Sequence, residues 1–131
     1  MRKIILDTNF LMIPWQFRVD IFSELDRICN FEYKLYIYEQ SISELRNIMQ
    51  KASGNNKKAA GFALRLIRLK NINVIKAHDK DVDSLILENI DNETVVATQD
   101  RPLKKKLLQK NASVIILRQK KYLKIIEKLY K

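Results

Sequence analysis

Four carboxylates in this chain, Asp7, Glu44, Asp83 and Asp100, each follow an apolar run of strand length. Acids placed in this way do chemistry only if the fold gathers them. What gathered carboxylate oxygens hold is a hard divalent cation such as Mg²⁺ or Mn²⁺. Asp7 is the sharpest case, because in "ILDTNFLMIP" it separates two apolar stretches. A charge there lies close to buried surface and needs a partner, yet no basic residue follows before Arg18. The other three admit structural duties beside the chemical one. Ser41 and Glu44 fit the S-x-x-E capping box of a helix start. Asp81 and Asp83, with Asp79, stand where acids complement a helix macrodipole. Asp100 precedes Arg101, so a turn or a surface pair would also account for it.

The elements that must position these acids can be read from periodicity. "KIIL" (3–6), "KLYIY" (34–38), "INVIK" (72–76), "TVVAT" (94–98) and "SVIIL" (113–117) are β-branched or aromatic runs bounded by polar residues, which gives five strands. Between them Ile21, Leu25, Ile28 and Cys29 recur at helical spacing, as do Ala60, Ala63, Leu64 and Ile67, and then Leu103 and Leu107. Near-continuous apolar strands joined by helical crossovers imply a three-layer α/β/α domain with a mostly parallel, five-stranded sheet. Tyr122, Ile126 and Tyr130 share a helical stripe, which predicts a C-terminal helix. In such sheets ligands bind outside the carboxyl ends of the strands, where strand order reverses. Asp7 follows the first strand and Asp100 the fourth. Glu44 lies in the first turn of the helix after strand two, and Asp83 opens the helix after strand three. All four acids therefore belong to one edge.

Composition narrows the partners. A length of 131 residues suits one domain spanning 1–131. No stretch approaches about 18 apolar residues, the length of a membrane span, and a single cysteine, Cys29, allows no internal disulfide and no multi-cysteine zinc site. A cytoplasmic protein is expected. The formal net charge of +10 favours a polyanion, most simply RNA or DNA. Three basic groups are candidates for holding phosphates: Lys104, Lys105 and Lys106 just beyond Asp100; Arg118, Lys120 and Lys121 after the last strand; and Lys58, Arg65 and Arg68 along one helical face. A basic run is also how a solvated face reads. Gly54 and Gly61 are too few for a glycine-rich nucleotide loop. His78, the only histidine, would have to serve any serine or cysteine hydrolase, and it reads as a loop residue. A phosphoacceptor receiver domain would need paired acids ending strand one and an aspartate ending strand three, and neither is present.

Taken in order, "LDTNFL", "SISELRNI", "DVDSLIL" and "VVATQDRPLKKKL" resemble the four motifs of the PIN-domain ribonucleases. The resemblance implies a metal-dependent endoribonuclease with Asp7, Glu44, Asp83 and Asp100 as catalytic acids. Asp7, Asp83 and Asp100 would ligate Mg²⁺ or Mn²⁺, Asn9 would orient Asp7, and Thr98 would hydrogen-bond a metal ligand or metal-bound water. In-line attack by metal-activated water would leave 3′-hydroxyl and 5′-phosphate ends. "DTNFLMIP", "VATQDRPLKKKL" and "VIILRQKKYL" are similar to the Fcf-type branch that processes small-subunit ribosomal RNA, and to its archaeal relatives. That branch implies pre-rRNA as substrate, ribosome-assembly proteins as partners and an archaeal source. VapC toxins, which share the acids and are restrained by antitoxins, are the alternative; a non-cleaving RNA-binding assembly factor is a second. The family also implies a homodimer as one assembly.

Overall fold

The computed structural model describes residues 1–78 and 80–127; Asp79 and Tyr130 lie outside the described residues. Strand β1 (Arg2–Leu6) is followed by a 3₁₀ turn (Phe10–Met12) and helices α1 (Ile13–Phe17) and α2 (Ile21–Ile28). β2 (Tyr33–Tyr38) leads directly into α3 (Glu39–Lys51), and α4 (Gly54–Leu69) returns to β3 (Asn73–Ile75). Then come α5 (Val82–Glu88), β4 (Thr94–Ala97), α6 (Arg101–Gln109), β5 (Ser113–Arg118) and β6 (Tyr122–Ile126). No helix among the described residues is long and apolar enough to cross a membrane.

The strand order is β3-β2-β1-β4-β5-β6. The first five strands pair in parallel, and β6 lies antiparallel to β5. Chain order turns outward in both directions from β1, so the switch point is the β1/β4 pair, where Leu6 stands opposite Ala97. Alternation along each strand divides the core in two. Ile4, Leu6, Ile37, Val95, Ala97 and Ile115 face the layer of α1 to α4, represented by Ile21, Leu45, Ala60 and Ala63. Ile5, Val96, Val114 and Ile116 face α5 and α6 through Leu85, Ile86, Leu103 and Leu107. The central strands are apolar on both sides because both sides are covered.

The C-terminal helix expected from Tyr122 and Ile126 is instead the sixth strand. Gln119 and Lys120 both adopt positive φ, 52° and 56°, and the Lys121 amide donates to the Arg118 carbonyl at 3.0 Å. This is a three-residue hairpin connection, Gln119 to Lys121, with two left-handed residues that turn the chain back on itself. It aligns Arg118 with Tyr122 and Leu117 with Leu123, and Leu123 is buried in the core. Tyr122 and Ile126, read as part of a helical stripe, instead form the edge strand of the sheet.

Candidate active site

At the switch point Asp7 is only 4% exposed. The end of β1 holds it there: the Asp7 amide donates to the Ala97 carbonyl at 2.9 Å, and the chain then turns into the 3₁₀ segment as the Phe10 amide donates to the Asp7 carbonyl. One carboxylate oxygen, Oδ1, accepts from the Thr8 amide at 2.9 Å, and Oδ2 accepts from the Thr98 hydroxyl at 2.7 Å. Thr98 Oγ1 accepts in turn from the Asp100 amide at 3.0 Å, so a single hydroxyl links the two acids that flank the switch point. Asp100 caps α6 by accepting from the Leu103 amide at 2.9 Å. Burial raises the Asp7 pKa above the usual carboxylate range; the Thr98 and Thr8 hydrogen bonds oppose the rise, and the Asp100 charge adds to it.

Glu44 and Asp83 are exposed at the mouth of the same site. Both pKa values are raised, first by partial desolvation and then by like charges. Glu44 feels Asp7, Asp83 and Asp81, with the nearby Thr8 hydroxyl opposing the rise; Asp83 feels Asp7, Asp100 and Asp81. The four acids therefore share one neighbourhood, with Asp7 between Glu44 and Asp100. Asp81 is the N-cap of α5, accepting from the Ser84 amide at 3.0 Å, while Asp83 stands free in the first turn. Among the described residues the ion pairs are Arg2 with Glu127, Arg27 with Glu24 and Lys80 with Glu88, and none takes one of the four acids.

Residues 4–120 match the family model described as "PIN like domain". The chain belongs to the PIN-like domain family. It is 32% identical over 127 residues to ribonuclease VapC4 of Methanocaldococcus jannaschii, covering 95% of this chain and 97% of that protein. It is 28% identical over 121 residues to ribonuclease VapC9 of Archaeoglobus fulgidus, covering 92% of this chain and 86% of that protein. The solved structure of the PIN domain endonuclease Utp24 shares the fold with a TM-score of 0.76 at 18% identity, over 98% of this chain and 96% of that one.

Within the PIN-like domain the bracing of Asp7 falls to Thr98 and the Thr8 amide. Asn9 is exposed, and it is its backbone carbonyl that takes part, accepting from the Gln99 side chain at 2.9 Å. Two buried hydroxyls escaped the sequence reading. Thr8 donates to Ser41 at 2.7 Å, and the pair lies between Asp7 and Glu44. The capping-box alternative for Ser41 and Glu44 does not hold, because α3 begins at Glu39 with Tyr38 as N-cap and no side-chain cap bond. Ser41 is therefore inside the helix facing the core, and Glu44 falls in the second turn rather than the first. The signal that could have found it is the absence of any turn residue between "KLYIY" and "EQSISEL".

The donor set tests the divalent-cation reading. Carboxylate and hydroxyl oxygens suit Mg²⁺ or Mn²⁺, and unpaired, mutually repelling acids are what a cation relieves. Among the described residues, no three acidic, imidazole or thiol side chains stand at ligand spacing as they are. Like charges oppose their closer approach, and a bound cation would offset that repulsion. The residues fit in type; Asp7, Asp83 and Asp100 would hold it, with Glu44 completing the pocket. Of the basic candidates, Lys106 is the one whose charge reaches the acids, lowering the pKa of Asp83 in opposition to its neighbours. Lys105 is exposed and Lys104 half-buried on the same helix. Arg118, Lys120 and Lys121 are exposed around the hairpin where β5 leaves the same sheet edge. Lys58, Arg65 and Arg68 are exposed on α4, in the opposite layer from α6. His78 is exposed between β3 and α5.

Proposed function

We propose that this PIN-like protein is a metal-dependent endoribonuclease that hydrolyses RNA phosphodiester bonds at the Asp7 pocket. The observation that carries the reading is the buried carboxylate of Asp7, fixed by two donors, in no ion pair among the described residues, and within reach of the charges of Asp100, Asp83 and Glu44. A bound Mg²⁺ or Mn²⁺ supplies the Lewis acidity that activates water and offsets phosphate charge. The chain's own part is placement. Thr98 holds Asp7 in one orientation and ties it to Asp100. The Thr8–Ser41 pair fills the gap toward Glu44 with hydroxyls rather than with further charge. Phosphates repelled by the acids are held by cations around the pocket, with Lys106 nearest and Lys104, Lys105, Arg118, Lys120 and Lys121 extending the track. The test is cleavage of RNA by purified protein with and without Mn²⁺: native protein cleaves, and Asp7→Asn does not while remaining folded. Equal cleavage by both removes the assignment.

Within this class, identity to two ribonucleases named VapC over nearly the whole chain supports a VapC-type enzyme restrained by a protein that covers its acidic pocket. Small-subunit rRNA processing is the second reading, favoured by "DTNFLMIP" and by the lysine-rich α6 that follows "VATQD". Expression in a host cell separates them. A toxin arrests growth through Asp7 and is relieved by a small neighbouring protein. A processing nuclease is tolerated, and its depletion accumulates uncleaved precursor.

A further inference from the structure

Gln40, at the start of α3, carries a buried polar atom with no hydrogen-bond partner among the described residues. Its Nε2 donates to the carbonyls of Ala77 at 3.1 Å and His78 at 3.2 Å, while its Oε1 is buried without a hydrogen-bond partner. The amide cannot be turned round, because the oxygen would then face two carbonyl oxygens and both N–H bonds would be lost. A buried, unpaired carbonyl oxygen is costly, and a methionine of similar length would avoid it. The two accepting carbonyls gain little from Gln40 that solvent could not give, since His78 and Lys80 in the same segment are exposed.

What the amide joins gives it a purpose. Glu44 follows Gln40 by four residues and so shares its face of α3. Ala77 and His78 lie in the segment that leads from β3 to Asp81 and Asp83. One side chain thus ties the helix bearing Glu44 to the segment that delivers Asp83. Tyr38 adds a longer tie, its hydroxyl donating to the Leu85 carbonyl of α5 at 3.4 Å. These ties hold together elements whose acids, Glu44 and Asp83, repel each other and Asp7.

We propose that Gln40 is a positioning residue, a latch that holds the β3–α5 segment against α3 and sets the separation of Glu44 and Asp83 before a divalent cation arrives. The proposal rests on the reading of this pocket as a cation site. Gln40→Met tests it in the full chain, with Gln40→Asn as a second variant that keeps the amide but is too short to reach the carbonyls. Without metal, the melting temperature of Gln40→Met is expected to equal or exceed the native value, and amide hydrogens from Lys80 to Ser84 exchange faster. The Mn²⁺ concentration giving half of the full thermal shift rises about tenfold in both variants. Cleavage at saturating Mn²⁺ stays within about twofold of native. A lower melting temperature together with an unchanged Mn²⁺ midpoint makes Gln40 merely structural and overturns the latch. Native protein that shows no thermal response to Mn²⁺ overturns the pocket reading itself, and the latch with it. A native response matched by both variants at the same concentration overturns the latch alone.

Discussion

Thr98→Val deletes one hydroxyl from a fully buried position and leaves the side-chain shape almost intact. The hydroxyl donates to the Asp7 carboxylate at 2.7 Å and accepts from the Asp100 amide at 3.0 Å. A hydrogen bond to a charged group contributes about 1.5–3 kcal/mol, and a buried group left unpaired costs about 1–3 kcal/mol. These contributions overlap, so the expected loss at neutral pH without metal is about 3 kcal/mol, or about 10 °C in melting temperature for a domain of this size. In an Asp7→Asn background the hydroxyl faces a neutral amide, and the same substitution then costs only about 1–1.5 kcal/mol. Urea unfolding of the four proteins in the cycle should therefore give a coupling energy of about 1.5–2 kcal/mol. The pH dependence has a definite sign. Burial raises the folded-state pKa of Asp7 above its ordinary 3.8. Its stabilising contribution is therefore complete below 3.8 and is lost as pH rises through the folded value. The coupling should accordingly shrink as acid protonates Asp7. Equal Thr98→Val losses in both backgrounds at neutral pH would refute a hydrogen bond to ionised Asp7.

Further outcomes follow from the same site. Metal-free Asp7→Asn should be at least as stable as native at neutral pH, with an advantage that disappears toward acid, measured as melting temperature against pH. Millimolar Mn²⁺ should raise the melting temperature of native protein by binding only the folded state, and should not do so for the double variant Asp7→Asn, Asp100→Asn, read by the same thermal scan. Replacing Lys104, Lys105 and Lys106 by Ala should weaken binding to single-stranded RNA and flatten the log–log salt slope by about 0.7 for each phosphate that those lysines neutralise. A titration at several salt concentrations checks it.

The parts legible in the sequence were those written into a short window. Each strand of the parallel sheet is apolar on both faces because helices cover both faces, and this needs no long-range information to read. Asp7 stood out for the same reason, as a lone charge between apolar runs. The parts that were illegible depend on backbone conformation or on contacts between distant segments. The β5–β6 hairpin turns at Gln119 and Lys120 in left-handed conformations that Asn or Gly usually marks, so nothing in "RQKKY" announces a three-residue turn. Tyr122 and Ile126 are four apart and satisfy a helix as well as one face of a strand. Ser41 satisfied a capping pattern, and only the direct run of β2 into α3 sends it to the core beside Thr8. Asn9 follows Asp7 closely enough to suggest support, yet the hydrogen bond to the carboxylate comes from Thr98, the residue that the motif after strand four had marked, 91 residues further along the chain.

The placement of the acids has a mechanical consequence. Glu44 comes from α3, in the layer that packs on Ile4, Leu6 and Ile37, whereas Asp83 and Lys106 come from α5 and α6, which pack on the other face. Asp7 and Asp100 stand at the β1/β4 switch point between them. A cation held by this set would join the two helical layers across the sheet edge and offset the repulsion of their like charges. The pKa values of Asp7, Glu44 and Asp83 are raised first by burial and then by the repulsion of neighbouring acids, in a chain of net charge +10. Protons and divalent cations relieve the same repulsion, so they must compete for it. Metal binding should release protons and weaken as pH falls through these raised values.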